Sequence, residues 1–153
     1  RVGLTLVLPV TETPMSWFGR GPHENYPDRL QSAYVGRYTA TEDELHTPYI
    51  FPSENGLRCD TRQLQVGALV VEGDFHFSLS RYSQAMLDKA KHSNELVAGD
   101  KWYLNLDAQH MGVGGDDSWS QSVHPEFLLT QPHYQYQLTL RVKASSPQSA
   151  REP

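Results

Sequence analysis

Along residues 102–109 apolar side chains occupy every second position, Trp102, Leu104, Leu106 and Ala108, with Tyr103, Asn105, Asp107 and Gln109 between them. A period of two is that of a β-strand with one face buried. The same alternation, or a short apolar run bounded by turn residues, predicts further strands over 2–10, 13–20, 30–40, 57–65, 67–72, 74–80 and 133–143. Gly67 and Gly73-Asp74 read as the turns of a meander. Two short helices interrupt the strands. Thr41 to Glu44 forms a capping box opening a helix that ends before Pro48, and Ser83 is the N-cap of a helix running to Lys91, with Met86 and Leu87 facing inward. Strands so outnumber helices that the predicted class is all-β, an antiparallel β-sandwich over residues 1–143, followed by a polar, disordered tail over 144–153.

Between these elements lie three dense loops. The first, residues 17–29, reads Trp17-Phe-Gly-Arg-Gly-Pro-His-Glu-Asn-Tyr-Pro-Asp-Arg29. Ordering such a loop costs entropy that internal bonds must offset, so Arg20, Glu24, Asp28 and Arg29 are expected to form a structural clamp of ion pairs within it. The second runs Thr47-Pro-Tyr-Ile-Phe-Pro-Ser-Glu-Asn-Gly-Leu-Arg58, and the third follows the strand at 102–109: His110-Met-Gly-Val-Gly-Gly-Asp-Asp-Ser-Trp119. Glycines there permit a sharp fold that presents Asp116, Asp117, Ser118 and Trp119 together at a strand end. An indole beside carboxylates suits a sugar, whose apolar face stacks on the ring while acids accept from its hydroxyls. A tryptophan in the core of a β-protein is the plainer reading of the same residue. His110 shares the face of Ala108 and Leu106, which favours a satisfied structural histidine over a metal ligand.

Composition narrows the classes. The chain has 153 residues, 38% of them hydrophobic, enough for one domain with a real core. A net charge of −5 and the absence of any Lys/Arg run argue against nucleic acid as partner, and no apolar run approaches the roughly 20 residues of a membrane helix. The start at Arg1 already alternates as a strand with no initiator Met, which suggests a piece of a longer polypeptide. One cysteine, Cys59, makes no internal disulfide and agrees with a reducing, cytoplasmic setting. Arg58 beside it would lower its pKa, but no histidine neighbours it in sequence, and a structural thiol is expected. Phosphate-loop, His-Glu-x-x-His and Gly-x-Ser-x-Gly motifs are absent.

Taken together, the three dense loops, in this order, closely resemble the C-terminal domain of large bacterial β-galactosidases, the family-two glycoside hydrolases, and the resemblance covers residues 1 to about 143. It implies a galactose-mutarotase-like supersandwich, of which this chain would be the C-terminal half or slightly more. The catalytic glutamates and magnesium site would lie on a TIM barrel outside it. By the same resemblance Trp119 lines the mouth of the active site and stacks on the galactosyl and glucosyl rings. A peripheral sodium in the family is held partly by carbonyls at positions matching Phe51, Pro52 and Leu87, but the matching threonine is Ala90 here. No metal or cofactor is therefore expected on this chain, magnesium and sodium belonging to the whole enzyme. Expected partners are the remaining domains, or a large subunit where the family splits its chain, in an oligomeric enzyme acting on a galactoside. The chain itself is expected to be non-catalytic. Two rivals are an autonomous galactose-binding module and an aldose 1-epimerase-like enzyme using His110 and Glu126 as acid and base.

Overall fold

The computed structural model describes residues 1–50, 53–115 and 122–144. Seven strands form one antiparallel sheet: β1 (Val2–Pro9), β2 (Met15–Gly21), β3 (Tyr34–Ala40), β4 (Arg58–Val66), β5 (Leu69–Ser80), β6 (Lys101–Gln109) and β7 (Leu138–Val142). Their order is β1-β6-β5-β4-β2-β3, with β7 also on β5. The class is all-β and antiparallel with no closed barrel among the described residues, consistent with a β-sandwich. Helices α1 (Glu42–Leu45) and α2 (Gln84–Lys89) start where their caps predict. Glu44 accepts the Thr41 backbone N–H at 2.7 Å, and the Ser83 hydroxyl accepts that of Met86 at 3.2 Å.

Alternation decides which face is buried. In β2, Met15, Trp17, Gly19 and Gly21 point inward while Ser16, Phe18 and Arg20 are half-buried, and in β6 Trp102, Leu104 and Leu106 point inward. Trp17, Phe75, Phe77, Leu79, Trp102 and Leu104 form the main core, onto which α1 lowers Leu45. The Trp102 indole N–H donates to Glu42 at 2.7 Å, so even this buried ring has its polar atom satisfied.

Two expectations are corrected. Residues 67–72 and 74–80 are not separate strands joined by a turn at Gly73-Asp74: β5 runs through both. Its first half pairs with β7, Gly73 opposite Leu138, and its second half with β6, His76 opposite Asp107. Gly73 is needed for close approach, since a Cβ there would stand 2.8 Å from the Gln137 carbonyl oxygen. The last strand is also shorter than the alternation from His133 to Lys143 suggests. Only Leu138–Val142 finds a neighbour, while Tyr136 is tied by its hydroxyl to the Leu106 carbonyl at 2.9 Å. Lys143 still donates its backbone N–H to Ala68, and of the expected tail over 144–153 all but Ala144 lies outside the described residues.

A second, smaller cluster sits under the loops. Tyr26, Leu57 and Cys59 are buried together, and Leu30 and Val113 pack on them. It joins all three dense loops, bringing residues far apart in sequence to one place.

Candidate functional site

At Gln109 β6 ends and the glycine loop begins. His110 is 7% exposed and its Nδ1 lies 2.6 Å from the Met111 carbonyl oxygen, which can only accept, so Nδ1 donates there, while Nε2 faces Glu54 at 3.5 Å and donates to it only when the ring carries both protons. Gly112 donates its N–H to the Phe127 carbonyl at 2.9 Å. The next two peptides are gripped by the first loop. Asp28 accepts the Val113 N–H at 3.1 Å on one carboxylate oxygen and the Gly114 N–H at 2.9 Å on the other, while Arg29 donates to the Gly114 carbonyl at 2.6 Å. Gly114 and Gly115 then adopt φ of 69° and 82°, values that redirect the chain and that side chains disfavour.

Ion pairing within the first loop is therefore corrected: among the described residues the bonds of its charged groups run outward to other segments. Arg20 pairs with Asp60 at 2.6 Å and donates to the Ala33 carbonyl at 2.8 Å. Glu24 accepts the Gly56 N–H at 2.8 Å and the Tyr49 hydroxyl. Asp28 and Arg29 hold the glycine loop. Backbone donors and acceptors exposed by irregular loops need partners, and these side chains supply them.

Beside the glycine loop opens a cavity of about 670 Å³, lined by Arg1, Arg29, Glu54, His110 and residues 112–115 among others. Its inner wall is a charge cluster. Arg1 donates to Glu54 at 2.8 Å and stands 3.3 Å from Asp107, which is 1% exposed. Asp107 does not face outward with Asn105, as alternation predicts; it is buried next to the equally buried Leu106, because Arg1 and His110 cover that end of β6. Burial pushes its carboxyl up to about 6, against the opposing pull of Arg1 and His110. Glu54 goes the other way. Burial raises it, but the His110 hydrogen bond and the Arg1 charge outweigh that and hold it below the usual carboxylate range.

A pH test follows from Asp107. An acid whose folded pKa is raised contributes stability that is present below its unfolded value, near 3.8, and is lost as pH rises through about 6. Half-buried His46 and His76 are pushed down and act oppositely, losing stability as pH falls below about 6.5, so wild-type stability alone conflates them. The difference between Asp107→Asn and wild type isolates the carboxyl. The variant should gain about 1–3 kcal/mol relative to wild type between pH 4 and pH 7. Urea midpoints at both pH values check this, and parallel pH profiles would show that Asp107 does not titrate in that window.

Two residues had roles that sequence reading did not assign. Arg58 is 1% exposed, and among the described residues its guanidinium meets carbonyls alone as hydrogen-bond acceptors: Leu45 at 2.8 Å, Gly56 at 2.9 Å, Pro22 at 3.1 Å and Glu44 at 3.5 Å. It also lies over the Trp17 ring, 5.8 Å from its centroid. Burial lowers its pKa to about 10. Asn25, also buried, accepts the Cys59 N–H at 2.8 Å and so ties the first loop to β4. At Cys59 burial pushes the thiol up and keeps it protonated, despite the neighbouring Arg58.

Other sequence-predicted positions are distributed as follows. Trp119, Asp116 and Asp117 lie outside the described residues, as do Phe51 and Pro52. Glu126 is exposed on a 3₁₀ turn, Pro125–Phe127, whereas His110 is buried. Leu87 is buried on α2, and Ala90, its C-cap, presents a methyl where the resembled sodium site has a hydroxyl. These described residues do not complete a shell for that ion, and among the described residues no group of three or more His, Cys, Asp and Glu side chains is placed to hold a metal.

Comparison with known proteins agrees with the three-loop pattern. The family model described as "Beta galactosidase small chain" matches residues 1–140. A β-galactosidase of Vibrio cholerae serotype O1 is 95% identical over 148 residues, 97% of this chain and 14% of that protein. One from Psychromonas ingrahamii is 61% identical over 140 residues, and one from Vibrio vulnificus (strain YJ016) 57% over 143, each covering 92% of this chain. The chain spans about 14% of the length of these relatives.

Proposed function

The chain belongs to the β-galactosidase small-chain family, and from that membership we propose that it serves as a non-catalytic domain that packs on the catalytic part of a β-galactosidase and adds Trp119 to its sugar site. The whole enzyme then hydrolyses terminal β-D-galactosides such as lactose. One observation carries the reading: the glycine loop is gripped by Asp28 and Arg29 beside an open cavity, and Gly115 stands only four residues before Trp119. Four residues span at most about 14 Å of chain, so the reading asks for no long reach from the gripped loop.

The acids already described support a binding rather than a catalytic role. Retaining hydrolysis needs two carboxylates about 5–5.5 Å apart, flanking the glycosidic bond, one free to donate a proton and one to attack. Glu54 and Asp107 both stand against Arg1, Glu54 also faces His110, and Asp107 is closed to solvent. They brace the root of the glycine loop. Nor is His110 free to exchange a proton with a sugar hydroxyl in an epimerase, since one ring nitrogen is bound to Met111 and the other faces Glu54. The isolated chain is expected to show no turnover of a nitrophenyl β-galactoside. Activity that follows the protein through repurification would sink the proposal.

A further inference from the structure

On the edge away from β4, strand β5 changes partner part-way along. It pairs with β7 as far as Gly73, opposite Leu138, and with β6 only from His76, opposite Asp107, so residues 74 and 75 have no register partner in either strand. A groove of about 580 Å³ opens at this fork, between the middle of β5, the end of β6 and residues 134–137. Its size is that of a small-molecule site, about 300–1,000 Å³. It shares no lining residue with the cavity beside the glycine loop.

The polar groups on its walls are held in place but not used up. The Asp60 backbone N–H donates to Nδ1 of His76 at 3.1 Å, so the neutral ring carries its proton on Nε2. Burial lowers the His76 pKa and keeps the ring neutral at pH 7. Nε2 has no hydrogen-bond partner among the described residues and is not closed to solvent, which leaves a donor of fixed orientation. Asp60, at a register shift of β4 and with φ of 52°, has Arg20 on Oδ2 at 2.6 Å, and Asp74 has Arg62 on Oδ2 at 3.4 Å. Each carboxylate is thus balanced in charge and keeps a second oxygen as an acceptor. Gln109, Gln135 and Gln137 are exposed, and their side-chain amides make no hydrogen bond among the described residues. Tyr134 and Tyr136 add half-buried rings anchored by their hydroxyls. The first accepts the Gln131 N–H at 3.0 Å and the second donates to the Leu106 carbonyl at 2.9 Å.

These groups discriminate between classes of ligand. An anion would face two carboxylates. A metal ion would compete with arginines for the same oxygens, and no metal-holding group of side chains exists among the described residues. An apolar molecule would strand the imidazole N–H and the amides without water. A neutral molecule rich in hydroxyls donates to the carboxylates, accepts from Nε2–H, does both with the amides and lays its C–H face on a tyrosine. We propose that the groove at the fork of β5 binds a saccharide of one or two rings through His76, Asp60, Asp74 and the three glutamines. The site does not depend on Trp119.

The test uses the full-length enzyme and follows galactose and glucose by saturation-transfer NMR in wild type and two variants. His76→Asn offers a side-chain oxygen to the Asp60 N–H in place of Nδ1 but loses the Nε2 donor. Gln109→Ala removes an exposed amide. A galactoside site elsewhere in the enzyme contributes equally to all three proteins, so the groove is read as the difference between them. Wild type should bind at least one of the two sugars at roughly millimolar concentration. Binding in the groove should weaken about five- to tenfold in His76→Asn and about two- to fivefold in Gln109→Ala, with KM for a nitrophenyl β-galactoside unchanged. Inorganic phosphate at matched ionic strength should not displace the sugar. Superimposable binding curves for wild type and both variants overturn the inference, as does displacement by phosphate. A KM that rises in step with the loss of sugar binding also overturns it, because the effect then belongs to the galactoside site. If His76→Asn melts too low to assay, Gln109→Ala and Gln135→Ala, both at exposed side chains, decide the outcome by the same criteria.

Discussion

Replacing Trp119 by Ala in the full-length enzyme should raise KM for lactose roughly ten- to a hundredfold while the melting temperature stays nearly constant. Stacking of an aromatic ring on a flat partner is worth about 1–3 kcal/mol, and each 1.4 kcal/mol is about a factor of ten in an equilibrium constant. Constancy of the fold follows from where the other indoles are. Of the three tryptophans, Trp17 and Trp102 are 3% and 2% exposed and make the core with Phe75, Phe77 and Leu104. Both stand on central strands. Trp119 follows a loop whose course is set by hydrogen bonds to Asp28 and Arg29 rather than by the core. Steady-state kinetics and thermal unfolding on the same preparation separate the two roles. A variant that keeps its KM but loses several kcal/mol of stability would make Trp119 a core residue.

The extent to which the chain could be read before folding depends on how far apart the interacting residues lie. Period-two alternation located β1, β2, β4 and β6 to within a few residues, and the caps at Thr41 and Ser83 located both helices, because these signals are local. Gly73-Asp74 misled for the opposite reason. A glycine before an aspartate is a good turn signal, but this one admits the Gln137 carbonyl from 64 positions away. The same holds for the site. Composition showed that residues 17–29 require polar partners, yet the partners, Asp60 for Arg20 and Gly114 for Asp28, come from other segments. The cluster of Arg1, Glu54, Asp107 and His110 joins the start of β1, the second dense loop and the end of β6, so its only local trace was the acid at Asp107 in an otherwise well-packed strand. The family itself was legible, since ordered motifs survive in sequence whether or not their contacts are known.

Arg58→Met should be the most destabilising single change in the described structure, costing about 3–5 kcal/mol. Arg58 donates to carbonyls of Pro22, Glu44, Leu45 and Gly56, which belong to the first loop, α1 and the second loop, and so ties the three together. Methionine keeps much of the stem volume and removes the donors. Each buried carbonyl left without a partner costs about 1–3 kcal/mol, and rearrangement or entry of water recovers part of the sum. The charge itself argues the other way: burial already lowers the Arg58 pKa to about 10, so losing a buried cation returns some desolvation energy. The carbonyls win because four of them depend on one side chain. For a domain of this size each kcal/mol moves the melting temperature by about 2–4 °C, so a fall of roughly 10–15 °C is expected. Arg58→Lys should fall between the two, since one ammonium with three donors cannot span carbonyls that a planar guanidinium reaches on separate sides. Thermal and urea unfolding of the three proteins at neutral pH measures this. A loss below about 1 kcal/mol would mean that the gain from removing the buried cation matches the four unpaired carbonyls.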